Sequence, residues 1–309
     1  MFLVVGDILF TDDLLKFLNE KGYIHILSFD DLKQINIEKI KYIISRGAHF
    51  KYNKDLLEKF SNLESIFLFQ IWVNNVDIDY CLNRWIEVKN FVSNKSVYAV
   101  AELTISSLIM WVRQALTLGC KLKNWNYQRN PLGFTLENKK IWVMWVWRIG
   151  SKVVDFLKKF PVNIGVYDII FKDKRFDDLK NKFKQDWVQV FSNLDEFLKY
   201  SDYITIHIPG TETNKNLLWY NQLRNVKWVV NMSRAWLIKE NDILKLINEW
   251  KLDFYVSDVV DWEPYFEKIN KNLLKNDRVF ILPHIWANTY EVQFDIINSF
   301  LNYVKQTKL

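Results

Sequence analysis

Short apolar runs alternate with stretches of helical apolar–polar periodicity along almost the whole chain, the pattern of βαβ units that build parallel sheets. In the first part, strands are predicted near 2–5, 23–27, 42–45, 65–69 and 86–89, with helical segments between them. A long amphipathic stretch follows, from about Val97 to Gly119. A second series predicts strands near 141–146, 163–168, 187–190, 203–208, 227–232, 254–259 and 279–282, and a last helix covers 288–306. The expected class is α/β: a small first domain, a linking helix, a complete second βα series, and a final helix that returns to the first domain. The boundaries fall at 1–96 plus 287–309 for one domain and 97–286 for the other. A cleft between two such domains is the expected place for a small-molecule site. No internal repeat of roughly 20–50 residues, low-complexity linker or Pro-rich tract interrupts the pattern.

Composition narrows the class. At 309 residues, half hydrophobic and a quarter charged, the chain has the make-up of a globular protein of two ordinary domains. No apolar run reaches the roughly 18 residues of a membrane-spanning helix. The start, M-F-L-V-V-G-D, has no basic flank and reads as a first strand rather than a signal peptide. Cys81 and Cys120 show no metal or redox spacing, so a reducing cytoplasm is expected, with no disulfide and no metal. The net charge of +6 comes from lysines scattered among acidic residues. Without a dense basic stripe, a nucleic-acid partner is not expected, and an anionic metabolite suits the balance.

The residue usage is unusual in one respect. A chain of this length ordinarily holds roughly 22 glycines. This one holds 8 glycines and 14 tryptophans, which together reach that figure. Tryptophan also stands where loops and caps want glycine, as at Trp85, Trp250 and Trp286. Residues 139–150 read K-K-I-W-V-M-W-V-W-R-I-G. With glycine at Trp142, Trp145 and Trp147, this is a strand running into a Gly-x-Gly-x-x-Gly turn whose third glycine is Gly150. That turn needs glycine for tight geometry and close approach to a pyrophosphate, and indoles there would fill the phosphate space. A UGA codon written as tryptophan in an organism that reads it as glycine produces this pattern. The abundance of Lys, Asn and Ile fits low-GC coding. Trp228, in the apolar strand K-W-V-V-N, is the position best suited to a genuine indole.

After the turn come a helix, R-I-G-S-K-V-V-D-F-L-K-K-F, and a strand, N-I-G-V-Y-D, ending in Asp168. Asp168 lies 23 residues beyond position 145, where an acidic side chain bonds the adenosine ribose of NAD and repels the 2′-phosphate of NADP. Further segments follow: A-V-A-E-L-T at 99–104, S-D-Y-I-T-I-H-I-P-G-T at 201–211, V-V-N-M-S-R-A-W-L at 229–237, V-S-D-V-V-D-W-E-P at 256–264 and P-H-I-W-A-N-T-Y-E at 283–291. In that order and spacing they resemble the D-isomer-specific 2-hydroxyacid dehydrogenase family over almost the whole chain. F-Q-I-W-V-N-N-V-D at 69–77, T-N-K-N-L-L-W at 213–219 and N-M-S-R-A-W at 231–236 look most like members acting on D-3-phosphoglycerate. Gln70 in place of a small residue, Ala235 in place of glycine and an extra residue in the 91–99 loop depart from that pattern and put the substrate in doubt.

The resemblance implies two Rossmann-like domains with parallel sheets: a flavodoxin-like substrate domain and an inserted NAD-binding domain. It implies His284 as acid–base catalyst, Glu263 as its carboxylate partner, and Arg234 as the cation that binds the substrate carboxylate. For NAD it implies the turn of Trp145, Trp147, Arg148, Ile149 and Gly150, with Asp168 at the ribose. Met232 and Ser233 are expected near the nicotinamide and Asp258 at its carboxamide, with His207, Trp286 and Ala287 also toward the cofactor. Backbone at Trp72 and Val73 is expected to cradle the substrate carboxylate. A substrate phosphate would fall to Arg46 and Lys95. A homodimer through the 97–119 region follows by resemblance too. The alternatives are a relative acting on 4-phosphoerythronate, glyoxylate, hydroxypyruvate or D-lactate, and a non-catalytic NAD-binding protein like the corepressors of this fold.

Overall fold

The computed structural model describes all 309 residues except Ala48, Trp72 and Pro264, and the side chain of Phe266. The chain divides into two compact units, Met1–Ser96 with Asn288–Leu309, and Val97–Ala287.

The first unit holds five parallel strands, β1 (Phe2–Val5), β2 (Tyr23–Ile26), β3 (Tyr42–Ser45), β4 (Ser65–Leu68) and β5 (Glu87–Asn90), in the order β2-β1-β3-β4-β5. This is the flavodoxin-type order. The final helix, Tyr290–Thr307, belongs to this unit and is capped by Thr289, whose side chain accepts from the Val292 amide. Phe300 on its buried face meets the rings of Phe17, Phe67, Phe69 and Phe91 with centroids 5.3–5.8 Å apart.

The second unit holds seven parallel strands: β6 (Lys140–Met144), β7 (Asn163–Tyr167), β8 (Gln189–Phe191), β9 (Tyr203–Ile206), β10 (Trp228–Asn231), β11 (Phe254–Ser257) and β12 (Val279–Ile281). Their order is β12-β11-β10-β9-β6-β7-β8. Both faces are covered: Ile141 and Val143 of β6 face one apolar cluster, Trp142 and Met144 the other. This explains why these strands read as unbroken apolar runs. Full burial of each such side chain stabilises by about 1.5–3 kcal/mol. The chain order reverses between β6 and β9, and ligands of open α/β sheets bind at the strand ends beside such a switch.

One expected element differs. The amphipathic stretch from Val97 to Gly119 is two helices, Ser96–Val112 and Ala115–Lys123, meeting at 69°. Buried Gln114 adopts φ +56° at the break. The carbonyl of Val112, freed from the helical ladder, accepts from the Phe134 amide at 2.7 Å. Among the described residues no single helix is long and apolar enough to cross a membrane.

Candidate active site

The carboxyl ends of the seven-stranded sheet collect the chemistry-bearing residues of the second unit. After β6 the backbone turns at Trp145, with φ +75°, and the Trp145 amide donates to the Tyr167 carbonyl at 2.7 Å. Trp147 stands at the N-cap of helix Arg148–Leu157 without a side-chain capping bond, its indole more than half exposed. Exposed Arg148 and half-buried Ile149 form the first turn, and Ile149 packs on the core. Gly150 admits no other residue, because a methyl group there would lie 2.0 Å from the Trp145 carbonyl oxygen. Backbone of this shape, at an uncapped helix start, fits a phosphate-binding turn.

Asp168 follows β7 and is almost fully buried. Its carboxylate accepts from the amides of Val146 at 3.0 Å and Ile170 at 3.2 Å, so it braces the turn after β6. Burial raises its proton affinity, and these amide bonds oppose the rise. His207, just past β9, is buried with Nε2 3.2 Å from Thr205 Oγ1 and no partner at Nδ1. Burial pushes its pKa down to about 3, so the ring is neutral.

Past β10, Met232 and Ser233 are buried, and Met232 donates its amide to the Ile206 carbonyl at 3.2 Å. Arg234 donates from Nη1 to the Ser233 carbonyl at 2.8 Å. Burial lowers its proton affinity while the charge of Glu263 raises it. Sequence reasoning left Asn231 without a role. Its side chain accepts from the Ser233 amide at 3.1 Å and donates to the Arg234 carbonyl at 3.0 Å, fixing the turn that presents the guanidinium. A polar residue closing an apolar strand was the available signal. Gly210 is the counterpart on the neighbouring loop, since a methyl group there would lie 2.3 Å from Arg234 Cγ.

The loop after β12 carries His284 at φ +56°, with Nδ1 2.6 Å from Glu263 Oε1. Each side chain is about one-third exposed. The other Glu263 oxygen accepts from the Val260 amide at 3.3 Å. Asp258, past β11, is fully buried, and its two oxygens accept from the amides of Ile285 at 2.8 Å and Trp286 at 2.7 Å. Burial pushes its pKa up to about 6. The expected role of Asp258 toward a cofactor amide therefore gains another: it clamps the His284 loop. The half-buried Trp286 ring lies 5.7 Å from the His284 ring, and Ala287 closes the unit.

The expected substrate residues of the first unit fare differently. Trp72 lies outside the described residues, and Val73 packs at the edge of that unit's core. Arg46 donates to the Asp7 carbonyl at 2.8 Å and to Asn288 Oδ1 at 3.2 Å. Lys95 Nζ stands 3.8 Å from Asp295. The two cations expected to hold a phosphate thus have partners inside their own unit. A largely buried guanidinium needs acceptors, and these supply them. Gln70 accepts from the Gly47 amide and donates to Asn75, stitching the loops after β3 and β4.

Residues 105–285 match the family model for the D-isomer specific 2-hydroxyacid dehydrogenase, NAD binding domain. The chain belongs to this family. Among its relatives are a D-3-phosphoglycerate dehydrogenase of Methanocaldococcus jannaschii, 29% identical over 91% of this chain and 53% of that protein, and a hydroxypyruvate reductase of Thermotoga maritima, 27% identical over 86% and 84%. The chain spans about half the length of the first of these. Two of the solved structures that share the fold illustrate the likeness. One is a D-lactate dehydrogenase from Aquifex aeolicus complexed with NAD and lactic acid, with TM-score 0.77, 21% identity and coverage of 99% of this chain and 94% of that one. The other is a phosphoglycerate oxidoreductase from Vibrio cholerae, with TM-score 0.80, 20% identity and coverage of 99% and 98%.

Proposed function

We propose that this family member is a cytoplasmic NAD-dependent dehydrogenase interconverting a small anionic D-2-hydroxy acid and its 2-oxo acid. The observation that carries the reading is the His284–Glu263 pair, held at 2.6 Å in the same unit as Arg234. Oxidation of a 2-hydroxy acid removes the hydroxyl proton while hydride leaves the same carbon, and NAD, when bound, accepts that hydride. Because Glu263 holds Nδ1 of His284, Nε2 is the nitrogen that takes the proton, and it returns the proton to the carbonyl oxygen in the reverse direction. Arg234 supplies a fixed guanidinium for the substrate carboxylate. Asp168, at the end of β7, is the group assigned to the adenosine ribose, and its bonds to the Val146 and Ile170 amides fix it beside the turn after β6.

The backbone after β6 fits a dinucleotide, but indoles at 145 and 147 do not. We infer that the natural polypeptide carries glycine there. Among the described residues six tryptophans, at 85, 125, 145, 187, 250 and 262, have φ between +57° and +75°, a region that glycine enters without the steric cost a side chain brings. Trp85, Trp125 and Trp187 are more than nine-tenths exposed, so no packing accounts for them. Trp111 and Trp228 instead sit buried against Phe254 and read as native indoles. UGG codons at 145 and 147 sink the inference; UGA codons support it.

The first substrate to test is 3-phosphoglycerate, oxidised to 3-phosphohydroxypyruvate for serine biosynthesis, because the M. jannaschii relative bears that activity in its name. The internal partners of Arg46 and Lys95 favour a second reading, an unphosphorylated acid such as hydroxypyruvate. Ranking kcat/KM over phosphorylated and unphosphorylated 2-oxo acids, on the glycine form, separates the two. Saturable NADH binding with no turnover on any of them defeats the enzyme reading and favours a non-catalytic binder. A homodimer through helix Ser96–Val112, which exposes Tyr98 and Met110, is part of the proposal and is read by sedimentation.

A further inference from the structure

Glu263 reaches His284 from a turn, and the direction of its carboxylate depends on how that turn is held. The turn runs from Val260 to Glu263 beyond the end of β11 and passes through Trp262 at φ +70°. Inside it, Glu263 bonds the Val260 amide. From outside, Glu240 Oε1 accepts the Asp261 amide at 3.0 Å. Glu240 opens helix Glu240–Asn248, whose Ile243, Leu246 and Ile247 are buried in the core. One rigidly based carboxylate therefore holds the middle of the turn that carries Glu263.

The electrostatics make this tether costly by itself. Burial raises the proton affinity of Glu240, and the neighbouring Asp261 charge adds to the rise. Arg234, Asp258, Asp261, Lys215 and Lys268 are charged groups around the turn and the histidine; Lys215 acts on Asp261, and Lys268 Nζ stands 5.4 Å from the centre of the Trp262 ring. A half-buried carboxylate beside other carboxylates is a poor device for stability alone.

We propose that Glu240 is a positioning residue for the acid–base pair: by holding the Asp261 amide it fixes the turn that aims Glu263 at Nδ1 of His284. The inference rests on the acid–base reading of that pair.

The test compares Glu240→Leu, which removes the acceptor, with Glu240→Gln, which keeps one. Three readouts are taken on the full chain with glycine at the tryptophans of left-handed φ and at 147: thermal unfolding, steady-state reduction of the preferred 2-oxo acid, and the proton resonance of the His284 Nδ1–H in the unliganded protein. A short bond to carboxylate shifts that resonance far downfield, and His284→Asn identifies it. Glu240→Leu is expected to lose the downfield resonance and to lower kcat about tenfold with KM for NADH within about twofold, while Glu240→Gln stays near the parent. A Glu240→Leu protein that keeps the resonance overturns the proposal, whatever happens to its melting temperature. So does a Glu240→Gln protein as impaired as Glu240→Leu. The resonance is read without turnover, so a parent inactive on every 2-oxo acid defeats the dehydrogenase reading and still leaves the role of Glu240 decided.

Discussion

A histidine at left-handed φ, bonded through one nitrogen to a carboxylate, has one nitrogen left for proton transfer. His284→Asn is therefore expected to lower kcat by about 10²- to 10⁴-fold without altering the unfolding midpoint, a result stopped-flow and urea titration can check together. His207 makes the opposite kind of contribution. Its folded pKa is depressed to about 3 by burial, below the ordinary histidine value, so the stability it supports is present above about pH 6.5 and lost as pH falls through the folded pKa. Acidification from pH 6.5 to 4.5 costs about 2–3 kcal/mol through this group alone. Urea midpoints at the two pH values are expected to differ less in His207→Gln than in the parent. Both histidines were legible in the sequence as candidates. Their difference was not, because one is sealed between strands and the other stands on a loop.

At the scale of elements, the strand ends do the work. Asp258 ends β11 and holds the loop after β12 through two backbone amides. Asp258→Ala leaves both amides without their acceptor, which is expected to cost about 1–3 kcal/mol and to speed hydrogen exchange at Ile285 and Trp286 while leaving β6 protected. Equal exchange in parent and variant would show that the clamp is not needed. The central strands, such as β1, β4, β6, β9 and β10, were readable from apolar runs because parallel strands covered on both faces show no polar alternation. The break at Gln114 was not readable, because nothing local in W-V-R-Q-A-L marks it. The Val112 carbonyl finds its partner at Phe134, far beyond the window of helical periodicity.

For the whole molecule, the choice between indole and glycine governs whether the second unit holds its cofactor. A ligand at about 100 times its Kd stabilises the folded state by about 2.7 kcal/mol. Saturating NADH is thus expected to raise the melting temperature of the form with glycine at the tryptophans with left-handed φ and at 147, and to leave the form with tryptophan unmoved. An equal shift in both would show that the indoles do not obstruct binding.

The sequence by itself determined the α/β class, the strand positions and the order of the motifs, which depend on periodicity and on residue type at fixed spacing, both local properties. It offered Arg234, Glu263 and His284 through the resemblance those motifs carry. Only the tertiary structure decided which carboxylate meets which amide: Asp168 with Val146, Asp258 with Ile285 and Trp286, Glu240 with Asp261. It also gave Arg46 its acceptors at Asp7 and Asn288, the latter from the far end of the chain. A buried polar group must find a partner, and the packing of distant segments decides which one is in reach.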